Sequence, residues 1–168
     1  MGIDILINNA GYGLIVMAHD PNVDVWEGTV RINLGAPWLA AAAALPHLKK
    51  SGRGRVINIS SQGGVIAIEG HAAYGTTKAS LINLTKMMAI EWAQFGITAN
   101  AIAPTVVDTP MALIGSPVEK GEKANHEIPI GRFAKPSEIA AAALYLATKD
   151  AAIINGATLM ADGGFSIK

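Results

Sequence analysis

The chain has 168 residues, of which 51% are hydrophobic and 15% charged, a composition that excludes a disordered, solvating chain and fits about one domain. Thirteen Lys and Arg residues balance thirteen Asp and Glu residues, so no basic excess can neutralise phosphates and we expect no nucleic-acid partner. Because cysteine is absent, disulfides, thiolate nucleophiles and cysteine-ligated zinc are excluded.

The first half of the chain alternates strand and helix signals. The β-branched run of residues 3–7 predicts a buried strand that ends in the loop of residues 8–11. Asp20 and Pro21 are typical of a helix start, as N-cap and first helical residue. This helix is predicted to continue to about residue 50, with a bend at Pro37.

The second half repeats the alternation. Residues 55–60 predict a second buried strand, and residues 72–95 predict a long helix that Gly96 closes. Residues 98–103 predict a third strand. The remaining predicted elements are a flexible excursion of weak helical character at 110–131, a helix at 137–148 capped by Ser137, with Pro136 just outside it, and a fourth strand at 157–160.

This alternation predicts an α/β fold in which a parallel sheet of about four strands is covered on both faces by helices. We interpret residues 1–168 as a single domain, in which residues 110–131 form a substrate-loop excursion. The apolar stretch 34–48 contains two prolines and is too short to span a bilayer, and the N-terminus lacks a signal peptide. We therefore expect a cytoplasmic protein without a membrane partner. The scattered histidines predict no metal site.

A tyrosine and a lysine lie four residues apart at the start of the long helix. Tyr74 and Lys78 therefore project from the same face of that helix. A phenol is a poor base near neutral pH because its pKa is about 10, but a nearby ammonium favours the phenolate and lowers that pKa. The pair is suited to moving a proton on or off an alcohol oxygen. The same spacing also fits an ordinary solvated helix face.

Polar residues near this pair offer further contacts. Ser60 and Ser61 end the preceding strand, where open α/β sheets bind ligands, and a hydroxyl there can bind the reacting oxygen. Asn33 stands inside the first predicted helix, where an asparagine is locally unfavourable. A surface position, or another element that crosses close by, would explain an asparagine there without any functional role. His71 and Gln62 either line the substrate pocket or are ordinary structural residues, and for His71 we favour the structural role.

Six segments, spread in order along the chain, form a pattern more specific than any one of them. The segments are residues 8–11 (Asn-Asn-Ala-Gly), Asn33, Ser61, residues 74–78 (Tyr-Gly-Thr-Thr-Lys), residues 100–104 (Asn-Ala-Ile-Ala-Pro) and residues 162–164 (Asp-Gly-Gly). This pattern resembles the short-chain dehydrogenase/reductase family. The number of residues between Ser61 and Tyr74 is one that is common in that family. The resemblance implies the C-terminal part of a doubly wound, Rossmann-like parallel sheet and an NAD- or NADP-dependent oxidoreductase.

The resemblance also implies a role for each matching residue. Tyr74 would be the general acid/base, and Lys78 would lower its pKa and hold the nicotinamide ribose. Ser61 would orient the substrate oxygen, and Asn33 would anchor a water in a proton relay. The other implied cofactor contacts are Asn9, Ala10 and Gly11 on the adenosine side, and Pro104, Val107 and Thr109 around the nicotinamide.

Two departures from the family pattern bear on function. Pro104 is followed by Thr105, where the family most often has Gly. Together with the ending at residues 163–168, this resembles a branch that contains glycerol and sugar-alcohol dehydrogenases, which hints at a polyol or its keto form. No Gly-rich turn that follows a strand precedes residue 8, so the half that cradles the pyrophosphate, roughly 70 to 90 residues, is expected to be missing.

Two functions remain open from the sequence. The first is an oxidoreductase that interconverts a small alcohol and a carbonyl, expected to be a homo-oligomer. The alternative is a truncated, non-catalytic remnant that acts as an oligomerising or binding fragment. The intact Asn, Ser, Tyr and Lys set favours the first function, and the absent Gly-rich half favours the second.

Overall fold

The computed structural model describes residues 2–115 and 127–168, and it shows a parallel sheet of four strands between layers of helices. The strands are β1 (Ile5–Asn8), β2 (Arg55–Ile59), β3 (Thr98–Pro104) and β4 (Thr158–Ala161). They lie in the order β1-β2-β3-β4, and each adjacent pair is parallel. The predicted α/β class and four-stranded sheet are confirmed.

Five helices lie wholly within the described residues and, with several short turns, connect these strands. The helices are α1 (Val23–Val30), α2 (Ala36–Ser51), α3 (Ala72–Trp92), α4 (Pro110–Gly115) and α5 (Pro136–Ala147). Tight 3₁₀ turns lie at Gln62–Gly64, Ala93–Phe95, Lys149–Ala151 and Phe165–Ile167. In the two described ranges, no helix combines the length and the apolar character that crossing a bilayer requires.

Two apolar clusters attach the helices to opposite faces of the sheet. Leu48 of α2 and Trp92 of α3 pack with Val56 on one face. Leu146 of α5 packs with Ile57 on the other face. Neighbouring strand residues point to opposite faces, so Val56 and Ile57 bury β2 on both sides, as its continuous apolar run predicts.

The first helix begins later than its predicted start. Asn22, not Asp20, is the N-cap of α1, and its side chain accepts the backbone N–H of Val25 at 3.1 Å. Pro21 therefore precedes the helix instead of opening it. Asp and Asn are almost equally good caps, so composition alone does not choose between two positions so close together.

The irregularity in this helical segment also lies elsewhere than predicted. A π-helical turn spans Arg31–Gly35, and Pro37 stands in the first turn of α2 that follows it. Proline has no N–H to donate to the carbonyl four residues earlier, so the ladder shifts and Ala36 donates to the carbonyl of Arg31. Pro37 therefore makes the preceding turn irregular instead of bending the helix at its own position.

The last helix starts at a different residue from the predicted one. Pro136 is the first residue of α5, and Lys135, not Ser137, is its N-cap. The carboxylate of Glu138 accepts the backbone N–H of Lys135 at 2.8 Å and so satisfies an N–H that the helix itself leaves free. Of the predicted excursion, residues 116–126 lie outside the described residues, and α4 occupies its start.

Strand β1 forms one edge of the sheet. It pairs with β2 alone among the described strands. Ile5 and Ile7 are 45% and 46% exposed on the same face of the sheet as Ile57, because α5 contacts β2 and β3 and does not extend over β1.

Candidate active site

The ends of three strands bring the predicted site residues to one edge of the sheet. Strand β1 ends at Asn8, β2 at Ile59 and β3 at Pro104. Parallel pairing places these carboxyl ends side by side, where open α/β sheets form their binding crevice. The loop of residues 9–11 and the hydroxyl of Ser61 therefore open into one crevice.

Helix α3 adds its tyrosine and lysine to this crevice. Burial raises the pKa of Tyr74, and a hydrogen bond from the hydroxyl of Ser61 offsets part of that rise. The ammonium nitrogen of Lys78 lies 5.6 Å from the centroid of the Tyr74 ring and donates to the carbonyl of Ile59 at 2.8 Å. Burial lowers the pKa of Lys78 to about 8.

Burial, and not Lys78, sets the net direction of the Tyr74 pKa in this structure, and the lowering of that pKa by Lys78 stays a prediction. The pKa of the phenol lies above its ordinary value, because burial destabilises the phenolate more than its neighbours stabilise it. Lys78 donates to a backbone carbonyl instead of to the phenol oxygen. Tyr74 is accordingly protonated at neutral pH and ready to act as an acid.

The residues around Lys78 fit the ribose end of a nicotinamide cofactor. An ammonium has three donors, and in the described part of the chain only the carbonyl of Ile59 takes one of them. Gly11 keeps the approach open, since a Cβ on it would lie 3.6 Å from the Lys78 nitrogen. The remaining donors suit the hydroxyls of a ribose.

Asn33 ties the loop after β1 to helix α3. It is fully buried, and its amide both accepts the N–H of Tyr12 at 2.8 Å and donates to the carbonyl of Tyr12 at 2.7 Å. The same amide donates to the Thr77 hydroxyl at 3.2 Å, which donates to the Tyr74 carbonyl at 2.8 Å. Another element therefore does cross close by, and the water-anchoring role stays a prediction.

Two residues that shape this site were not predicted from the sequence. Gly13 lies against the ring of Tyr74, where a Cβ would come within 2.7 Å of Cδ2. Thr77 connects Asn33 to the backbone of helix α3 at Tyr74. The Gly-Tyr-Gly run of residues 11–13 was a signal of close backbone approach, although not of a phosphate cradle.

The residues after β3 form a separate wall. Val107 pairs with Ala134 in an isolated bridge, and the hydroxyl of Thr109 donates to the Val107 carbonyl at 3.2 Å. Within the described ranges, no hydrogen bond joins this wall to Tyr74 or Lys78. The buried hydroxyl of Thr105 has no partner there either.

Two further polar residues lie close in the sequence to Ser61 and Tyr74. Gln62 follows Ser61 and is buried, and its amide oxygen has no hydrogen-bond partner among the described residues. An orphaned acceptor of this kind costs about 1–3 kcal/mol. The ring of His71 meets the ring of Tyr74 edge-on, with the centroids 6.0 Å apart.

The assembled site is suited to proton transfer at one oxygen. Ser61 and Tyr74 supply two hydroxyls, and Lys78 supplies a buried positive charge beside them. In the part of the chain that the structure describes, no three His, Asp or Glu side chains cluster closely enough to hold a metal. This arrangement is suited to general acid/base catalysis at an alcohol or carbonyl oxygen.

Comparison with known proteins yields a family match along nearly the full chain. Residues 1–166 match the family model described as "Enoyl-(Acyl carrier protein) reductase". The chain is 39% identical over 166 residues to an NAD-dependent glycerol dehydrogenase of Listeria innocua, covering 99% of this chain and 65% of that protein. It is equally identical, 39% over 166 residues, to a D-threitol dehydrogenase of Mycolicibacterium smegmatis, covering 99% of this chain and 64% of that protein.

A solved structure shares the fold. The crystal structure of a gluconate 5-dehydrogenase from Burkholderia cenocepacia in complex with NADP and tartrate superposes with a TM-score of 0.94 at 34% identity. The match covers 99% of this chain and 66% of that one. The chain thus spans 64% to 65% of the length of the two curated relatives named above.

Proposed function

The chain belongs to the short-chain dehydrogenase/reductase family, and we propose that it carries the catalytic residues of an NAD- or NADP-dependent dehydrogenase that interconverts a polyol and its keto form. The convergence of Ser61, Tyr74 and Lys78 at the carboxyl edge of the sheet carries this proposal. The glycerol and threitol dehydrogenases among the relatives support the polyol class.

The proton chemistry follows from the hydrogen bonds of the two hydroxyls. The Ser61 oxygen accepts the N–H of Gly63 at 3.1 Å, which leaves the serine proton to donate to a substrate oxygen or to Tyr74. In the direction of reduction, Tyr74 gives its phenolic proton to the carbonyl oxygen that Ser61 orients. The ammonium of Lys78 stabilises the phenolate left behind.

The cofactor fits the side of the site that faces Lys78. A nicotinamide bound there supplies the hydride in reduction and takes it in oxidation. The two unused donors of Lys78 would hold the ribose. The other proposed cofactor contacts would be Asn9, Ala10 and Gly11 on the adenosine side and Pro104, Val107 and Thr109 around the nicotinamide. Both NAD and NADP remain compatible with these residues.

The direct test is oxidation of glycerol or threitol, followed by the fluorescence of the reduced cofactor. With the cofactor in large excess, to offset weak binding, the wild-type protein is expected to form NADH or NADPH. A Ser61→Ala variant is expected to form it much more slowly because the reacting oxygen loses its donor. Ser80→Ala, the same change at a serine that bonds only a helix carbonyl, is the matched control. Absence of turnover with every polyol and both cofactors would refute the proposal.

We also propose a homo-oligomer that acts in the cytoplasm. Helices α2 and α3 lie on one face of the sheet and expose apolar side chains outward. The exposed residues are Trp38, Leu39, Met87 and Ile90. An apolar surface of this kind on a water-soluble domain is typical of a subunit interface, and sedimentation velocity measures the assembly.

The alternative of a non-catalytic remnant rests on a different observation. Among the described strands, β1 has a neighbour on one side alone, and it exposes Ile5 and Ile7, which favours binding or self-association over catalysis. The assay above separates the two functions, because a remnant oligomerises without reducing either cofactor.

A further inference from the structure

The turn that carries Ser61 packs directly on the helix that carries Tyr74. Ser61 is the N-cap of the tight turn at Gln62–Gly64, and its hydroxyl oxygen accepts the N–H of Gly63 at 3.1 Å. Tyr74 stands in the first turn of α3. The geometry between the two hydroxyls therefore depends on how closely this tight turn approaches α3.

Two glycines allow backbone to meet backbone at this contact. A Cβ on Gly75 would lie 2.8 Å from the carbonyl oxygen of Gly63, and a Cβ on Gly64 would lie 2.7 Å from the carbonyl carbon of Lys78. Non-bonded atoms do not approach so closely, and a backbone atom cannot swing aside as the end of a long side chain can. Any side chain at either position must therefore push the turn away from the helix.

Hydrogen bonds hold the same contact together. The buried hydroxyl of Ser60 donates to the carbonyl of Lys78 at 2.9 Å. The ammonium of Lys78 donates in the other direction, to the carbonyl of Ile59 at 2.8 Å. The end of β2, the turn and α3 thus form one closely packed unit, in which Ser61 and Tyr74 keep a fixed relative position.

We propose that Gly64 and Gly75 are positioning residues, whose missing side chains set the distance between the hydroxyls of Ser61 and Tyr74. Neither glycine touches substrate or cofactor in this role. A side chain at either position would lengthen the bond between the two hydroxyls and so misalign the proton donor with the group that orients the reacting oxygen. The kinetic consequence of this inference rests on the proposed function, whereas the spacing of the two hydroxyls does not.

The first test observes the phenol without turnover. In protein labelled with tyrosine that carries ¹³C at Cζ, the resonance that disappears in a Tyr74→Phe variant belongs to Tyr74. Loss of the bond to Ser61 shifts this resonance, and Ser61→Ala gives the direction of the shift. Gly64→Ala and Gly75→Ala are each expected to shift it in the same direction.

Gly54→Ala is the matched control. A Cβ on Gly54 would lie 2.9 Å from a side-chain carbon of Ile97, so this substitution also crowds the interior, but at the amino edge of the sheet, opposite the site. It is expected to leave the Tyr74 resonance in place. An equal shift in this control would mean that the resonance follows general loosening of the fold, which refutes the inference.

A milder variant covers the case in which the added methyl groups prevent folding. Ser60→Ala removes the bond to the Lys78 carbonyl without adding an atom, and so loosens the same contact. It is expected to shift the Tyr74 resonance in the direction that Ser61→Ala gives. A Tyr74 resonance that stays in place in every folded variant would overturn the inference.

The second test determines whether the glycines act through Ser61. Gly75→Ala is expected to lower kcat for polyol oxidation by roughly 10- to 100-fold, the order of loss that a misplacement of about 1 Å causes. In a Ser61→Ala background, where the aligned hydroxyl is already absent, the same change is expected to cost less than about twofold. Equal losses in the two backgrounds would mean that Gly75 only supports the fold, which contradicts the positioning role.

The two tests keep this inference apart from the proposed function. If the wild-type protein oxidises no polyol with either cofactor, the proposed function fails. The resonance of Tyr74 then decides the inference by itself, because it is measured without substrate or cofactor.

Discussion

Gly13 lies directly against the ring of Tyr74. A Cβ built on Gly13 would sit 2.7 Å from Cδ2 of that ring, closer than non-bonded carbon atoms approach. The loop after β1 thus fixes the proposed general acid, Tyr74, from the side. Asn33 fixes the same loop through both backbone groups of Tyr12. The position of the phenol depends on a residue without a side chain.

Gly13→Ala is expected to displace the Tyr74 ring and to lower kcat by about tenfold to a hundredfold, since misplacement by about 1 Å costs on that order. Steady-state assays measure the change. Gly28→Ala is the matched control, because a Cβ there meets only Tyr12 at an ordinary 3.8 Å and Ala suits a helix better than Gly. Equal activity of the two variants would contradict the contact.

Tyr74→Phe removes the proton donor and keeps the ring. Reduction of the keto substrate is expected to slow by about 10²- to 10⁴-fold, the usual contribution of general acid catalysis, while cofactor affinity changes little. Tyr145→Phe, the same change at an exposed tyrosine of α5, controls for the loss of a hydroxyl. Turnover near that of the wild type would remove Tyr74 from the proposed mechanism.

Sequence patterns were sufficient to predict the order of the elements, because strands and helices differ in the local periodicity of their apolar residues. The same holds for the tyrosine and lysine, whose spacing alone puts them on one helix face. The direction of the Tyr74 pKa was not accessible in this way. It depends on how deeply the phenol is buried and on whether Lys78 points at it, and both are properties of the packed chain.

Contacts between distant segments were also beyond the sequence. The bond from Asn33 to Thr77 joins two helices, and only the crossing of the Tyr12 loop explains a buried amide at that point. The predicted first residues of the helices were wrong for a different reason. Several good capping residues stand close together before α1, and tertiary packing selects Asn22.

Lys78→Met is expected to stabilise the fold at pH 7 by about 1–2 kcal/mol, because the buried ammonium costs more than its bond to the Ile59 carbonyl returns. The pKa of Lys78 falls from 10.5 to about 8, so between these pH values the unfolded chain binds the extra proton. Wild-type stability therefore rises with pH across this window, and the advantage of the variant shrinks.

Urea denaturation at a series of pH values measures this difference. Lys86→Met makes the same change at an exposed position of α3 and separates the effect of burial from that of the side chain. A variant that is less stable than the wild type at pH 7, or whose difference does not vary between pH 8 and pH 10.5, would contradict the buried charge.

Pro37→Ala is expected to stabilise the protein and to weaken catalysis at the same time. The new N–H can donate to the Asn33 carbonyl, which favours a regular helix over the π-helical turn at Arg31–Gly35. Rewinding that turn aims the Asn33 amide away from Tyr12, so kcat is expected to fall by about tenfold or more. Thermal unfolding and steady-state kinetics are measured together.

Pro46→Ala is the matched control for that experiment. Pro46 lies in the interior of α2 and is exposed, so its replacement also strengthens the helix without reaching Asn33. We expect both variants to unfold at a higher temperature and only Pro37→Ala to lose activity. Full activity in both variants would show that the π-helical turn is not needed for catalysis.

Residues 1–168, prepared as an isolated polypeptide, are expected to bind NAD and NADP very weakly. Pyrophosphate binding in such folds uses free N–H groups of a glycine-rich turn at a helix N-terminus. The glycine-rich turn after β2 cannot serve, because Gly63 and Gly64 already donate to Ser61. The unpaired edge of β1 favours self-association. Isothermal titration together with sedimentation decides: micromolar cofactor binding by a monomer would mean that other residues of this chain hold the pyrophosphate.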